Sequence, residues 1–218
     1  MRNEPLVEVT QVKGTSETHP LLSPNDEWAN FEIFPSRIGQ NIYSIPYGGY
    51  VRDAYLRGML AEWEGKGNPY KFGLVGASDT HTAASSYDES NYWSKVGLLD
   101  GETFLRGSTT LAKEDIDQIT SSVNTQGLYR FVEQDEEYFL DTFYSRWGAS
   151  GIAAVWAEEN TRESIFAGFR RKETYATSGT RIKLRFFGGF GLDDLDLSDE
   201  EIISMAYEIG VSMGHDLH

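Results

Sequence analysis

Short apolar runs alternate along the chain with amphipathic segments, which is the pattern of an α/β protein. Strands that are buried on both faces read as near-continuous runs of β-branched and other apolar residues. Four such runs are predicted strands: residues 6–13, 71–77, 151–157 and 181–187. Because helical patterns stand between these runs, we expect parallel strands that are joined by helical crossovers. Four strands are too few to close an eight-stranded barrel.

The strongest helical pattern covers residues 50–65. Apolar residues recur there with a spacing near 3.6 and form one stripe, which we expect to pack in the core. The stripe consists of Val51, Tyr55, Leu56, Met59, Leu60 and Trp63. Residues 50–65 are therefore predicted to be one amphipathic helix that packs on the sheet.

Two segments resemble capping boxes, in which a polar cap residue is followed three positions later by an acid. Asn160 is predicted to cap a helix that runs through residue 171, and Ser198 a helix that runs through residue 208. The acids between residues 114 and 137 are expected to lie on a helical insertion that carries no chemistry, since charge runs are usually solvated faces.

Two long segments are predicted loops, residues 19–49 and 81–104. The first contains four prolines and a pair of glycines, and the second is rich in serine, tyrosine and aspartate. Loops of this kind build the walls of active sites in barrel enzymes, so we expect both to lie over a site. Tyr87, Tyr92 and Trp93 are interpreted either as lining a substrate pocket or as packing the second loop onto the rim.

Candidate chemistry begins where the 71–77 run ends, at Asp79 and His81. Residues two positions apart on an extended chain point the same way, so both side chains would reach one metal ion. One oxygen and one nitrogen ligand suit zinc, manganese or iron. The alternative is an aspartate that caps the next turn, followed by a histidine on the surface.

A second acid-x-His pair, Glu17 and His19, follows the 6–13 run. Strand carboxyl ends in a parallel barrel share one end of the fold, so we expect this pair on the same side as Asp79 and His81. We interpret Glu17 and His19 as the candidate catalytic residues, which complete the site or move protons.

Four blocks of the chain resemble successive blocks of one bacterial protein family. They are EPLVEVTQVKGTSETHPLLSPNDE, FGLVGASDTHTA, GIAAVWAEENTRESIFAGFRRKETYATSGTRIKLRFFGG and GVSMGHDL. The resembling family is one of large proteins of unknown function, which is placed in the PHP (polymerase and histidinol phosphatase) metallohydrolase superfamily. The blocks come in the family's order and span nearly the whole chain.

The resemblance implies a distorted TIM-like barrel with a site for two or three metal ions at the carboxyl ends of its strands. PHP enzymes usually hydrolyse phosphate esters, and a related branch resembles carbamate and carboxyl-ester hydrolases. By this resemblance, Asp79 and His81 match the last metal motif and hold the divalent metal. The implied substrate is therefore a small-molecule ester.

The chain also departs from the PHP pattern. It contains four histidines and no His-x-His, although PHP proteins carry that motif early in their sequence. The glycine that the family has in its last block is replaced here by His215, which is a weak candidate site residue. We therefore expect residues 1–218 to form a single, partial domain that lacks the early strands. An internal or carboxyl-terminal fragment, a shortened gene product and a partial gene sequence all fit.

The amino-acid composition disfavours several classes of binding partner. Lysine and arginine number 19 against 34 acids, which gives a net charge of −15 and disfavours nucleic acid, because a duplex-binding protein needs a basic footprint. No apolar run reaches the ~20 residues that span a bilayer, so we expect no membrane partner. The absence of cysteine excludes disulfides and thiolate ligands. No signal peptide is visible at the start of the chain, and the resemblance makes a periplasmic or secreted bacterial origin plausible.

Two readings other than a hydrolase stay open. The chain is also consistent with a non-catalytic α/β module, or with a sugar- or polymer-binding module built on exposed tyrosine and tryptophan. If early strands are missing, the edge of residues 6–13 is open and its unpaired backbone groups favour self-association.

Overall fold

A computed structural model of the chain describes its secondary structure over several segments. These are residues 3–37, 42–80, 88, 90, 107, 109–121, 130–141, 151–192, 195–196, 198 and 201–217. The predicted loop 81–104 lies almost entirely outside the described residues, as do Tyr87, Tyr92 and Trp93.

Within the described residues the fold mixes short strands with four helices. The strands are β1 Leu6–Gln11, β2 Gly14–Thr15, β3 Gly73–Gly76, β4 Arg130–Gln134, β5 Glu137–Asp141, β6 Ala153–Val155, β7 Thr174–Ala176, β8 Phe187–Gly188 and β9 Val211–Ser212. The helices are α1 Val51–Trp63, α2 Lys113–Ser121, α3 Arg162–Arg171 and α4 Ile202–Ile209. The α/β class is confirmed.

The central sheet has three strands in the order β2-β1-β3. β1 and β3 are parallel, with Leu6 opposite Gly73 and a shift in register between Glu8 and Thr10. β2 folds back antiparallel and covers only the carboxyl half of β1. The other pairs, β4–β5, β6–β7 and β8–β9, are antiparallel. Parallel pairing is therefore confirmed for β1 and β3 alone, and no closed barrel forms among the described residues.

The β6–β7 pair packs closely against the backbone of β3. Gly151 donates its N–H to the carbonyl of Ala77 at 3.1 Å, and Ile152 donates to the hydroxyl of Thr177 at 3.2 Å. A Cβ at Gly151 would lie 1.4 Å from the carbonyl oxygen of Thr177, so only glycine fits. The hydrogen bond from Gly151 to Ala77 holds the chain at the carboxyl end of β3, two residues before Asp79.

The predicted strand over residues 181–187 is wrong for all but Phe187. Its alternating apolar residues have no paired strand among the described residues, and they remain exposed: Ile182 58%, Leu184 44% and Phe186 62%. An alternating pattern gives a strand only where a sheet is present to bury one face. Here the segment crosses the surface, and the carbonyl of Leu184 accepts a hydrogen bond from the indole of Trp156 at 2.9 Å.

The predicted helical insertion over residues 114–137 is only partly present. α2 occupies its beginning, but β4 and β5 form a hairpin where the acids run on. Asp135 and Glu136 make the two-residue turn with φ values of 53° and 65°. Both positive values match the tight turn whose twist suits a hairpin. The prediction of a helix is therefore wrong for residues 130–137, which belong to the hairpin.

The helix over residues 50–65 is confirmed as α1, but its stripe is largely not core. Val51 is buried and Tyr55 packs, while Leu56, Met59, Leu60 and Trp63 are all more than half exposed. Tyr55 donates to the carbonyl of Phe72 at 2.7 Å, and burial raises the pKa of Tyr55 to about 12. Of the stripe, only Val51 is buried, and Tyr55 is held against Phe72 just before β3.

The cap residues differ from those predicted. Thr161 caps α3, not Asn160, and its hydroxyl accepts from the N–H of Ser164 at 3.3 Å. α4 begins after Glu201, three residues beyond Ser198. The loop over residues 19–49 is confirmed where it is described, as turns with one isolated bridge between Ser36 and Tyr43.

Candidate functional site

Asp79 lies just past the carboxyl end of β3, beside the end of β1. The N–H of Ala77 donates to the carbonyl of Thr10 at 2.9 Å, which keeps the two strand ends together. Asp79 has a φ of 56°, a left-handed conformation that aspartate tolerates better than most residues. Its side chain is only 13% exposed, and its carboxylate pairs with the ammonium of Lys13.

The Lys13 pair gives the carboxylate of Asp79 the charge partner that a largely buried acid needs. Lys13 stands in the tight turn between β1 and β2, so its position depends on the hairpin. A cation therefore already lies at the point where the sequence predicts a metal. His81, the second predicted ligand, lies outside the described residues.

Glu17 belongs to an ion-pair cluster of the first loop. Arg52, at the start of α1, contacts the carboxylate of Glu17 and also donates to Asp26 at 2.5 Å. The hydrogen bond from Arg52 lowers the pKa of Asp26, and the same bond, followed by that to Glu17, raises the pKa of Arg52. The ion pair with Arg52 thus holds Glu17, and with it the start of the first loop, against α1.

One nitrogen of the His19 ring accepts a backbone hydrogen bond. Its Nδ1 accepts a hydrogen bond from the N–H of Leu21 at 3.1 Å, and its ring packs on Tyr50 with centroids 5.6 Å apart. When Nδ1 accepts, the proton of the neutral ring sits on Nε2. His19 therefore offers a hydrogen-bond donor at Nε2, which differs from the proton acceptor that catalysis by a base needs.

The structure does not show the predicted residues meeting at one point. Glu17 lines a cavity of about 360 Å³ between β1, β3 and β7, together with Thr10 and Leu74. Asp79 is not among the described residues that line this cavity. Within the described ranges no group of three or more histidine, aspartate or glutamate side chains is placed to hold a metal. The expectation of a shared site therefore stays a prediction.

A second cluster, which the sequence patterns did not reveal, centres on Glu173. This residue precedes β7 and is only 6% exposed. Its Oε1 accepts from the hydroxyl of Ser212 at 2.8 Å and from that of Tyr207 at 3.2 Å, and its Oε2 accepts from Arg171 at 3.3 Å. Tyr207 in turn accepts from Arg185 at 2.8 Å. A buried acid surrounded by donors is well satisfied.

His215 completes this cluster. Its Nδ1 lies 3.0 Å from the hydroxyl of Ser212, and its exposed ring lines a cavity of about 360 Å³ with Glu158, Arg171 and Tyr207. We name Glu173, Ser212 and His215 the relay. Because 39 residues separate Glu173 from Ser212, no local pattern could have indicated the contact between these two residues. The only local signal is the Ser-x-x-His spacing, whose turn places the two side chains together.

No helix among the described residues has the length and apolar character that a membrane crossing requires.

Comparison with known proteins places the whole chain in one family. The model of a family described as "Protein of unknown function (DUF3604)" matches residues 1–218. No curated protein and no solved structure matches the chain. Function therefore has to be argued from the chemistry of the described residues.

Proposed function

We propose that this chain, which belongs to the DUF3604 family, takes part in metal-dependent hydrolysis of ester bonds, with phosphate esters as the first substrate class. We also propose that β1 and β3 are neighbouring strands of a distorted TIM-like barrel of the PHP type. One observation carries the proposal. The carboxylate of Asp79 is largely buried, follows a parallel strand and is balanced by the ammonium of Lys13.

Strand geometry supports the location. In parallel barrels the reacting groups come from the residues that follow the carboxyl ends of neighbouring strands. β1 and β3 are parallel neighbours, and Asp79 follows the second of them. Glu17 and His19 follow the β1–β2 hairpin, and backbone hydrogen bonds from Val51 and Arg52 to residues 16 and 17 hold that segment against α1.

Each residue has a role in this proposal. Asp79 and His81 would hold the metal, which lowers the pKa of a bound water and polarises the ester oxygen. Lys13 would leave Asp79 and pair with an anionic oxygen of the phosphate ester. His19 would donate a hydrogen bond from Nε2 to an ester oxygen, and Glu17 would anchor the loop through Arg52.

Lys13 gives a direct test, because it competes with a metal for the same carboxylate. We expect Lys13→Met to bind manganese or zinc roughly fivefold more tightly, the equivalent of about 1 kcal/mol for a partly exposed ion pair. Asp79→Asn should weaken binding at least roughly tenfold, since a ligand charge is lost. Isothermal titration calorimetry of residues 1–218 measures both affinities.

The matched control is Lys66→Met, which removes an exposed lysine that pairs with Glu64 away from the site. It should leave the affinity for metal unchanged. Equal affinities in the wild-type, Lys13→Met and Asp79→Asn chains would contradict the metal site. Hydrolysis of bis(p-nitrophenyl) phosphate against p-nitrophenyl acetate, with manganese, separates the phosphate-ester proposal from the carboxyl-ester alternative.

A non-catalytic module is the second candidate. It needs no metal site, and within the described ranges Asp79 is balanced by Lys13 without one. Turnover of neither ester, together with unchanged metal affinity in all variants, would support the module over the hydrolase. Self-association along the amino half of β1, which β2 does not cover, stays a prediction of the open-edge argument.

A further inference from the structure

We propose that the relay turns His215 into a proton acceptor, whose Nε2 takes a proton from the hydroxyl of a bound water or alcohol. Ser212 and Glu173 are positioning residues in this proposal, because they act through His215. The site is separate from Asp79 and does not rest on the proposed hydrolase. It is carried by the direction of the hydrogen bonds around Glu173.

The direction of each bond follows from which atoms have a proton to give. A carboxylate can only accept hydrogen bonds, so the hydroxyl of Ser212 donates its single proton to Glu173. The oxygen of Ser212 then has only lone pairs to offer to His215. Nδ1 of His215 must therefore carry a proton and donate it to Ser212 across 3.0 Å. In the neutral ring this leaves the lone pair on Nε2.

The rest of the network keeps that direction fixed. Tyr207 also has one proton, and it accepts from Arg185, so it donates its own proton to Glu173. Arg171 is a pure donor and occupies the second oxygen of Glu173. All three partners thus donate to Glu173. The proton of Ser212 therefore stays on the side of Glu173, and the oxygen of Ser212 stays free to accept from His215. The relay is a one-way chain from His215 through Ser212 to Glu173.

The two described histidines are consequently opposite in character. His19 accepts at Nδ1 and carries its proton on Nε2, whereas His215 donates at Nδ1 and carries its lone pair on Nε2. A histidine whose Nδ1–H is held by a carboxylate, directly or through another group, is the usual arrangement for a base or a ligand. Of these two, His215 is the histidine suited to accept a proton.

The surroundings favour a neutral partner with a hydroxyl group. The cavity beside His215 holds about 360 Å³ and is lined by Arg171, Glu158 and Glu173, so its fixed charges sum to about −1 before His215 is counted. A net negative site disfavours an anion. A water or an alcohol can donate to Nε2 and accept from Arg171, whose contacts to Glu158 and Glu173, at 3.5 and 3.3 Å, are long.

The proposed step is a simple proton transfer. The O–H bond of the water or alcohol breaks, its proton bonds to Nε2, and the oxygen keeps the electron pair as the nucleophile. The imidazolium still donates from Nδ1 to Ser212, and Ser212 still donates to Glu173. The hydroxyl of Ser212 therefore lies between the positive ring and the carboxylate of Glu173, and the proton later returns to the oxygen or passes to solvent.

Nitrogen-15 NMR of the labelled chain tests the tautomer directly, without any variant. A long-range proton–nitrogen spectrum of neutral His215 should show a protonated Nδ1 and an unprotonated Nε2, with the reverse pattern for His19. Ser212→Ala removes one hydrogen bond, which should shift the tautomer ratio of His215 by roughly two- to tenfold toward the Nε2–H form. A wild-type ring that carries its proton on Nε2 would overturn the proposal.

Acylation by diethyl pyrocarbonate supplies the second measurement, since only an unprotonated ring nitrogen attacks its carbonyl, and Nδ1 of His215 faces the buried Ser212. Peptide mass spectrometry should show the rate at His215 falling roughly two- to tenfold in Ser212→Ala. The rate should persist in Ser212→Thr, which keeps the hydroxyl, and in the distant control Ser121→Ala. The rate at His19 serves as the internal reference. A purely structural role for Ser212 predicts the opposite, because loosening the turn would expose His215 and leave its rate equal or faster.

Discussion

Replacing Glu173 by alanine is expected to lower the free energy of unfolding by about 3 kcal/mol. The substitution removes the acceptor at the centre of a buried network and leaves donors from Ser212, Tyr207 and Arg171 without it. Arg171 is partly exposed and can turn to water, which keeps the expected loss at the lower end of the range for a broken buried pair. Tyr207 is 40% exposed and can do the same, whereas the hydroxyl of Ser212 is buried and cannot turn to water.

Urea denaturation followed by far-ultraviolet circular dichroism measures this loss. Glu208→Ala is the matched control, because Glu208 is an exposed acid on α4 near the same cluster and should change stability by less than about 0.5 kcal/mol. Glu173→Gln keeps the shape and one acceptor oxygen, so it should fall between the two. A Glu173→Ala chain as stable as Glu208→Ala would mean that the network contributes nothing to the fold.

Gly151→Ala is expected to be at least as damaging, at about 3 kcal/mol or more, since overpacking against backbone cannot be relieved by turning a side chain. A Cβ there would lie 1.4 Å from the carbonyl oxygen of Thr177. Gly151 would have to move away from Thr177, which opens this end of the β6–β7 pair and displaces the donor of the hydrogen bond from Gly151 to Ala77. The segment that carries Asp79 would then lose its support.

The control for this change is Gly188→Ala in β8, where an added Cβ meets nothing within 4 Å. It should leave the urea midpoint close to that of the wild-type chain. Metal titration of Gly151→Ala under native conditions would also report weaker binding, if Asp79 depends on the end of β3. Equal midpoints for the two glycine variants would show that Gly151 does not lie against the backbone of Thr177 as described.

The sequence was a good guide where a pattern is local. The apolar runs placed β1, β3 and β6, and helical spacing placed α1 and α3, because burial of one face imposes a period on the residues themselves. It failed at residues 181–186, where the alternating pattern is present and the sheet that would use it is not. It failed again at β4 and β5, where a turn of two acids with positive φ reads as a charged helix face.

In the candidate site, too, local features were predictable from the sequence and tertiary contacts were not. The position of Asp79 after a strand follows from the apolar run before it, and this part was predictable. Its partner Lys13 was not, because that contact depends on how the turn between β1 and β2 lies against the segment that follows β3. The relay depends on Glu173 and Ser212 meeting from distant parts of the chain. Pairs of this kind arise from tertiary packing, and no periodicity in a single sequence encodes them.

The packing of Trp156 has a consequence for fluorescence. Among the described tryptophans, Trp28 and Trp63 are 72% and 84% exposed, so their emission is already that of an indole in water. Trp156 is half-buried, donates to Leu184 and lies under the guanidinium of Arg185 at 4.5 Å from the ring centroid. Arg185 also donates to Tyr207, which binds Glu173. Of these three indoles, Trp156 is the one whose emission reports on the integrity of the Glu173 network.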